Sequence, residues 1–177
     1  MAAPLNHRCA LRDDFDSLKK LMDAAISELQ KPFLSDSQIQ SSRTTMGLDT
    51  QLIEDGTYFI VEILGDIAGC GGWSRRATLY GGDNSPGRNA VLLNPAKDAA
   101  RIRAMYTHPL HTRKGVGRLI LSLSEEAARS EGFKRAELMA SMAGEPLYRA
   151  CGYEPCERMV DERGGVGVPL VRMSKLL

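Results

Sequence analysis

ARIRAMYTHPLHTRKGVGRLILSLSEEAARSEGFKRAELMAS, residues 100–141, is the stretch that decides the fold of this 177-residue chain. Its first eight residues alternate apolar and polar side chains, which is typical of a strand with two different faces. The alternation predicts Ile102, Ala104 and Tyr106 on one face. The other face would carry Arg101, Arg103 and Met105.

The pattern then changes from the period of a strand to that of a helix. From Gly115 onward, apolar residues recur at the spacing of one buried helical face, and Gly132 provides the usual stop just past the helix end. Residues 134–141 again predict a strand. Strand, helix and strand in this order indicate a mixed α/β sheet.

The remaining segments extend this sheet in both directions. The other predicted elements are helices over residues 15–29, within 35–48 and over 144–151, and strands over 57–64, 67–74 and 166–174. Residues 65–66 (Gly-Asp) are expected to form the turn of a hairpin. Gly69, Gly71 and Gly72 weaken its second strand and indicate a bulge or a close backbone approach. Residues 79–98, with a glycine-rich centre, are expected to form an exposed excursion between two strands.

Length and composition limit the class of protein. A chain of 177 residues is long enough for one domain and short for two, so residues 1–177 are expected to form a single domain. The formal charge of +1 argues against a large nucleic-acid interface. The N-terminal residues lack the apolar run of a signal peptide, and no stretch reaches the ~20 apolar residues of a membrane span. These two absences predict a cytoplasmic location. The four cysteines form no C-x-x-C pair, so we expect reduced thiols and no metal site.

The turn between the first strand and the helix has the composition of an anion site. Glycine allows the backbone to approach a ligand closely, and the first N–H groups of a helix have no intrahelical partner. Arg113, Lys114 and Arg118 add formal positive charge around Gly115 and Gly117. A pyrophosphate suits such a turn.

An ordinary helix start with solvated basic residues explains the turn equally well when the turn is considered alone. Two other phosphate-binding motifs fit less well. The P-loop pattern is absent, and G-x-G-x-x-G would need a glycine where Ile120 stands. These absences argue against ATP and NAD as ligands.

In its wider setting, this region resembles the coenzyme A-binding segment of the GNAT N-acetyltransferase superfamily. That pattern, [Gln/Arg]-x-x-Gly-x-[Gly/Ala] after a strand, is matched by Gly115 and Gly117, with Thr112 at the Gln/Arg position. Farther along, residues 146–153 (PLYRACGY) resemble the family segment Phe-Tyr-x-x-x-Gly-[Phe/Tyr]. The resemblance implies a mixed, mostly antiparallel central sheet flanked by helices, and acetyl-coenzyme A as acyl donor.

The resemblance also implies roles for individual residues. Backbone groups of Met105, Tyr106 and Thr107 would contact the pantetheine arm. Tyr148 would protonate the departing thiolate, and a phenol of pKa ~10 carries the proton needed for this at neutral pH. The pyrophosphate would be held by Arg113, Lys114, Gly115, Val116, Gly117 and Arg118.

The acceptor is not defined by the sequence. Direct attack on acetyl-CoA in a ternary complex needs a neutral primary amine, but no candidate base stands out among Glu62, Asp66, Asp98 and His108. Three residues are candidates for binding the acceptor: Trp73, Arg75 and Arg103. An ordinary role in core packing or on the surface would explain each of them as well.

Two other functions remain open at this point. A non-catalytic acyl-CoA-binding or regulatory module would keep the glycine turn and lose the acid and base. A nucleotide-binding domain of another fold would keep only the anion site. The expected partner is a small-molecule or peptide amine, and a homodimer is compatible with the sequence.

Overall fold

The computed structural model describes residues 3–177, which form a single seven-stranded sheet with helices on both faces. The strands are β1 (Leu5–Cys9), β2 (Tyr58–Ile63), β3 (Asp66–Ser74), β4 (Ala100–Thr107), β5 (Arg135–Ser141), β6 (Glu154–Asp161) and β7 (Val168–Leu176). The α-helices are α1 (Phe15–Leu29), α2 (Asp36–Ser42), α3 (Thr50–Glu54), α4 (Val116–Ser130) and α5 (Glu145–Ala150). Two 3-10 turns, Arg12–Asp14 and Pro109–His111, precede α1 and α4.

The strand order is β1-β2-β3-β4-β5-β7-β6. All neighbouring strands are antiparallel except β4 and β5, which run parallel. Helices α1, α2 and α3 pack on one face of the sheet, and α4 and α5 pack on the other. The predicted mixed, mostly antiparallel sheet flanked by helices is confirmed.

The two longest helices begin and end close to where their apolar patterns predict. Helix α1 buries the expected stripe of Leu18, Leu21, Met22, Ala25 and Ile26. In α4 the buried stripe is centred on Ile120, Leu121 and Ser124, so Leu119 and Leu123 of the predicted face are only half-buried. The two helices supply apolar surface to opposite faces of the sheet.

The glycines of β3 allow α4 to cross the sheet closely. A Cβ built on Gly69 would collide with Val116, and one built on Gly71 would lie 2.7 Å from Ile120 Cγ2 and from Met105 Cγ. The register of β3 against β4 also shifts between Cys70 and Gly72. Both expectations for these glycines, a bulge and a close approach, are confirmed.

The predicted faces of β4 are wrong at one point. Ala104 has φ +49° and lies opposite the register shift, so a bulge there reverses the alternation of the strand. Ile102 and Met105 therefore share the α4 face, while Arg103 and Tyr106 point toward the α1 side. Sequence alternation assumes an unbroken pleat, and a bulge inserts one extra residue into it.

Other differences lie in segments with weak patterns. Strand β6 was not predicted, because nearly all of its residues are exposed and Pro155 interrupts it. Strand β1 is another edge strand with little burial. The excursion over residues 79–98 is not fully exposed, since Gly81, Gly82 and Ser85 are buried where the loop packs on residues 45–48.

Candidate functional site

The turn between β4 and α4 has a backbone shape that an anion site requires. Arg113 has φ +62° and Gly115 has φ +86°, and α4 begins directly afterwards at Val116. A positive φ is unusual for a non-glycine residue, so its occurrence at Arg113 shows a constrained loop. Left-handed residues next to a helix start turn successive N–H groups toward one side, which forms an anion-binding concavity.

The three basic side chains of this turn are exposed. Most arginines of the chain form salt bridges. Arg113, Lys114 and Arg118 are in no salt bridge with any residue in the described part of the chain, 3–177. Lys114 Nζ lies 3.3 Å from His111 Nδ1. Partial burial of His111 and the positive charge of Lys114 both lower the pKa of His111. The turn therefore presents three cations without compensating carboxylates.

Two residues of the turn also connect it to the core. Val116 is buried beneath the sheet against Gly69. A Cβ on Gly117 would lie 2.7 Å from Leu147 Cδ2 and 3.9 Å from Thr107 Oγ1. Gly117 thus allows the first turn of α4 to approach α5 and the end of β4, which brings three elements of the site together.

The parallel strands β4 and β5 separate beside this turn. Their register covers only Ala100 opposite Ala136 and Arg101 opposite Glu137, whereas β4 continues to Thr107. The bulge at Ala104 falls where the strands part, and the hydroxyl of Tyr58 donates a 2.6 Å hydrogen bond to the Ala104 carbonyl. The edge of β4 that carries Met105 and Thr107 therefore faces an opening in the sheet.

A cavity of about 100 Å³ lies in this opening. Its lining comes from the segment after α2 (Thr45, Met46, Gly47), the loop after β3 (Leu79 to Gly82), strand β4 (Ile102 to Tyr106), and Met139, Ser141, Tyr148 and Leu170. Side chains from both faces of the sheet thus meet here. None of the described lining residues is a carboxylate, a lysine or a histidine.

Tyr148 projects from α5 into this cavity. It is 8% exposed, and its hydroxyl makes no hydrogen bond within residues 3–177. Burial raises the pKa of Tyr148 above its ordinary value, so the phenol stays protonated through the neutral range. Its ring contacts Tyr153 edge to face, with centroids 6.0 Å apart. A protonated hydroxyl without a partner is thus available to a ligand.

Arg103 is a buried cation in the same lining. Its Nη2 donates to Asp49 Oδ2 at 2.7 Å and to the Gly81 carbonyl, and its Nη1 donates to the Thr78 carbonyl at 3.0 Å. Arg88 shares the same carboxylate, with Nη2 2.9 Å from Asp49 Oδ1. Arg103 thus both holds the loop and lies beside the cavity.

The other two candidates for acceptor binding lie elsewhere. Trp73 is 1% exposed and packs edge to face on Phe133 in the core under α4. Arg75 lies over the Trp73 ring and forms a salt bridge with Glu131. Neither residue lines the cavity, and Arg103 alone of the three does.

The four candidate bases are also outside the cavity lining. The carboxylate of Glu62 pairs with Arg8. Asp66 begins β3 at the hairpin turn. Asp98 accepts from the Asn94 N–H, and His108 Nδ1 accepts from the Leu110 N–H.

Several residues of the site were not singled out from the sequence. Asp49, Tyr80 and Met46 lie in loops or beside a short helix, where periodicity carries no information. Asp49 had one local signal, because an aspartate ahead of a helix is a common N-cap, and its Oδ1 accepts from the Gln51 N–H at 3.2 Å. No feature of the sequence around Asp49 predicts its salt bridge with Arg103.

Residues 3–177 lack two further kinds of feature. No group of three or more His, Cys, Asp or Glu side chains is arranged to hold a metal ion. No helix among these residues is long and apolar enough to cross a membrane.

Solved structures with the same fold are numerous, at low sequence identity. A GCN5-related N-acetyltransferase from Rhodopseudomonas palustris matches with a TM-score of 0.72 at 19% identity, over 100% of this chain and 97% of that one. PaiA N-acetyltransferase from Thermoplasma acidophilum, solved with coenzyme A, matches with a TM-score of 0.65 at 12% identity, over 98% and 99%. YncA from Salmonella typhimurium, described as a putative acetyltransferase and solved with acetyl-CoA, matches with a TM-score of 0.64 at 17% identity, over 98% and 94%.

Comparison with curated protein sequences gave no match. The family model for the acetyltransferase (GNAT) family, however, matches residues 19–153, which is most of the chain and includes β4, the turn, α4 and α5. The chain therefore belongs to the GNAT family of acetyltransferases.

Proposed function

We propose that the protein transfers an acetyl group from acetyl-CoA to a primary amine by direct attack in a ternary complex. The observation that carries the proposal is the combination of three features: the cationic turn at residues 113–118, the separation of β4 from β5, and Tyr148 in the cavity where these strands part. The coenzyme A and acetyl-CoA complexes of the Thermoplasma and Salmonella proteins support this choice of donor.

The donor has two binding regions in this proposal. Backbone N–H groups of Gly115, Val116 and Gly117 hold the pyrophosphate, and the side chains of Arg113, Lys114 and Arg118 supplement them. The pantetheine arm runs along the β4 edge at Met105, Tyr106 and Thr107, where no β5 residue is paired. This path brings the thioester to the cavity.

The chemistry follows from the groups that line the cavity. The nitrogen lone pair of the amine attacks the thioester carbonyl carbon, the C–S bond then breaks, and the hydroxyl of Tyr148 donates its proton to the leaving thiolate. The described lining supplies no carboxylate or imidazole, so we propose that the amine enters the site already neutral. Its extra proton after attack passes to solvent or to the tyrosinate, which restores Tyr148.

The first experiment separates donor binding from catalysis. Calorimetry should detect binding of acetyl-CoA and not of ATP or NAD. Thiol release should then be followed over amino acids, polyamines, aminoglycosides and peptide N-termini. Failure of acetyl-CoA to bind would contradict the whole proposal. Binding without thiol release for any amine would instead favour a non-catalytic acyl-CoA-binding module.

We also propose that residues 1–177 act as a single domain in a reducing compartment such as the cytoplasm. One sheet contains strands from both ends of the chain, since β1 and β7 belong to it. All four cysteines are free thiols. Both observations support this proposal.

A further inference from the structure

Arg103 carries a buried positive charge that its protein partners only partly compensate. Its side chain is 4% exposed, and that of Asp49 is 1% exposed. Asp49 is also the salt-bridge partner of Arg88, at 2.9 Å, and no other carboxylate within residues 3–177 lies in salt-bridge distance of either arginine. Two cations thus share one anion, and the cluster keeps a net charge of one.

The guanidinium of Arg103 has unused hydrogen-bonding capacity. An arginine has five N–H donors. Arg103 uses three, to the Thr78 carbonyl, the Gly81 carbonyl and Asp49, and its Nε makes no hydrogen bond with any described residue. A buried cation is normally paired and fully hydrogen-bonded, because desolvation of the charge is costly. The residual charge and the free donors favour an anionic ligand beside Arg103.

The cavity next to Arg103 has no group that would attract a second cation. Its other polar side chains are neutral, among them Thr45, Tyr80, Ser141 and Tyr148. A polyamine or an aminoglycoside would bring several ammonium groups to a lining without carboxylates. An acceptor with its own carboxylate would compensate the charge of the cluster.

We infer that the acceptor is a compact amine that carries a carboxylate, and that Arg103 binds this carboxylate in the cavity while the amine faces Tyr148. The inference rests on the proposed function, since it concerns the acceptor of the same reaction. Arg103 and Tyr148 line the same cavity, which the proposed function also assigns to the thioester, so the carboxylate and the amine of the acceptor would lie close together. A short chain between carboxylate and amine is therefore expected.

Matched acceptors test the inference on the unmodified protein. Glycine, β-alanine and 4-aminobutyrate present a carboxylate at increasing distance from the amine, and each can be compared with its carboxamide and with spermidine. The measured quantity is kcat/KM for thiol release at saturating acetyl-CoA. We expect at least one acid to exceed its carboxamide roughly tenfold or more, the usual size of a lost ionic hydrogen bond. The amine of glycinamide is less basic than that of glycine, so a larger fraction of it is neutral and reactive. This difference favours the carboxamide, so a preference for the acid cannot be due to amine basicity.

A pair of variants identifies the residue responsible. Arg103→Gln removes the charge, while Asp49 keeps its salt bridge to Arg88. We expect this variant to lose the preference for the acid and to retain affinity for acetyl-CoA. Arg101→Gln is the control, because Arg101 lies on the same strand and pairs with Glu137 outside the cavity lining. It should keep the preference.

The outcomes distinguish this inference from the proposed function. Equal kcat/KM values for all acids and their carboxamides, or a preference that survives in Arg103→Gln, would overturn the carboxylate assignment while acetyl transfer to other amines still stands. A preference for spermidine would overturn it as well. Absence of acetyl-CoA binding would instead refute the proposed function itself.

Discussion

The turn at residues 113–118 and the cavity beside Arg103 are the two regions of the proposed site, yet they are built in opposite ways. The turn is continuous in sequence, exposed, and shaped by backbone angles at Arg113 and Gly115. The cavity is partly enclosed and is assembled from two loops, three strands and α5. One region depends on local conformation, and the other depends on side chains held by distant partners.

This difference predicts how each region responds to change. If the turn binds the donor as we propose, changes to its backbone angles should matter more than changes to its side chains. In the cavity, the backbone is fixed by the sheet, and individual hydroxyl and guanidinium groups matter. Substitutions should therefore affect donor affinity in the first region, and turnover or acceptor choice in the second.

The largest expected effect is the pH dependence of kcat/KM for acetyl transfer in the cavity. Below the amine pKa, the neutral fraction of a lysine-like amine (pKa ~10.4) rises about tenfold per pH unit, so kcat/KM should rise with that slope from pH 6 to pH 9. Burial raises the pKa of Tyr148, so its acid form persists and no falling limb should appear in this range. A plateau with an apparent pKa near neutrality, in initial rates over buffers of constant ionic strength, would instead indicate a base in the protein.

Tyr148→Phe should have the next largest effect. Loss of a general acid typically slows a reaction by ~10²-fold or more, so single-turnover acetyl transfer should fall by about that factor with unchanged acetyl-CoA affinity. Tyr153→Phe is the matched control, because this tyrosine touches the Tyr148 ring and its buried hydroxyl has no partner among residues 3–177. Equal single-turnover rates for Tyr148→Phe and the wild type would remove Tyr148 from the mechanism.

Gly115→Val tests the turn. A β-branched residue at φ +86° is strained by about 1–2 kcal/mol, and relief of this strain would shift the backbone that we propose to contact the pyrophosphate. We expect a dissociation constant for acetyl-CoA raised about tenfold, measured by calorimetry. Gly165→Val is the control, because Gly165 has a similar φ of +92° and a Cβ there would meet no atom within 4 Å. Gly165 is also far from the turn in sequence. This variant should lose similar stability and no affinity, and comparable affinity losses in both would contradict the assignment.

Tyr58→Phe should have the smallest effect. It tests whether the bulge in β4 positions the donor relative to the cavity. The variant removes the donor to the Ala104 carbonyl at the bulge, where β4 parts from β5. Loss of such a bond costs about 1 kcal/mol of unfolding free energy, and a relaxed bulge should raise the KM for acetyl-CoA a few-fold. Denaturant unfolding and initial rates measure the two effects. An unchanged KM at reduced stability would mean that the bulge does not position the donor.

Strong local patterns allowed much of the fold to be predicted. Helices α1 and α4, the hairpin of β2 and β3, and strand β5 all follow from hydrophobic periodicity with glycine or proline at their ends. The edge strands β1 and β6 could not be predicted, because exposed strands lack the alternation that burial imposes. The acceptor candidates Trp73 and Arg75 illustrate the same limit, since the sequence cannot show that they pack on Phe133 and Glu131.

The sequence by itself determined the anion-site hypothesis, because the glycines, the basic residues and the helix start that form the turn are adjacent in the chain. Only the tertiary structure decided that Arg103 meets Asp49, which is 54 residues away, and that Arg103 lines a cavity together with Tyr148. The bulge at Ala104 adds to this, since one inserted residue places Tyr106 on the face of Arg103, whereas regular alternation would place the two on opposite faces. Local chemistry is encoded by neighbours in sequence, whereas an acceptor site is encoded by packing.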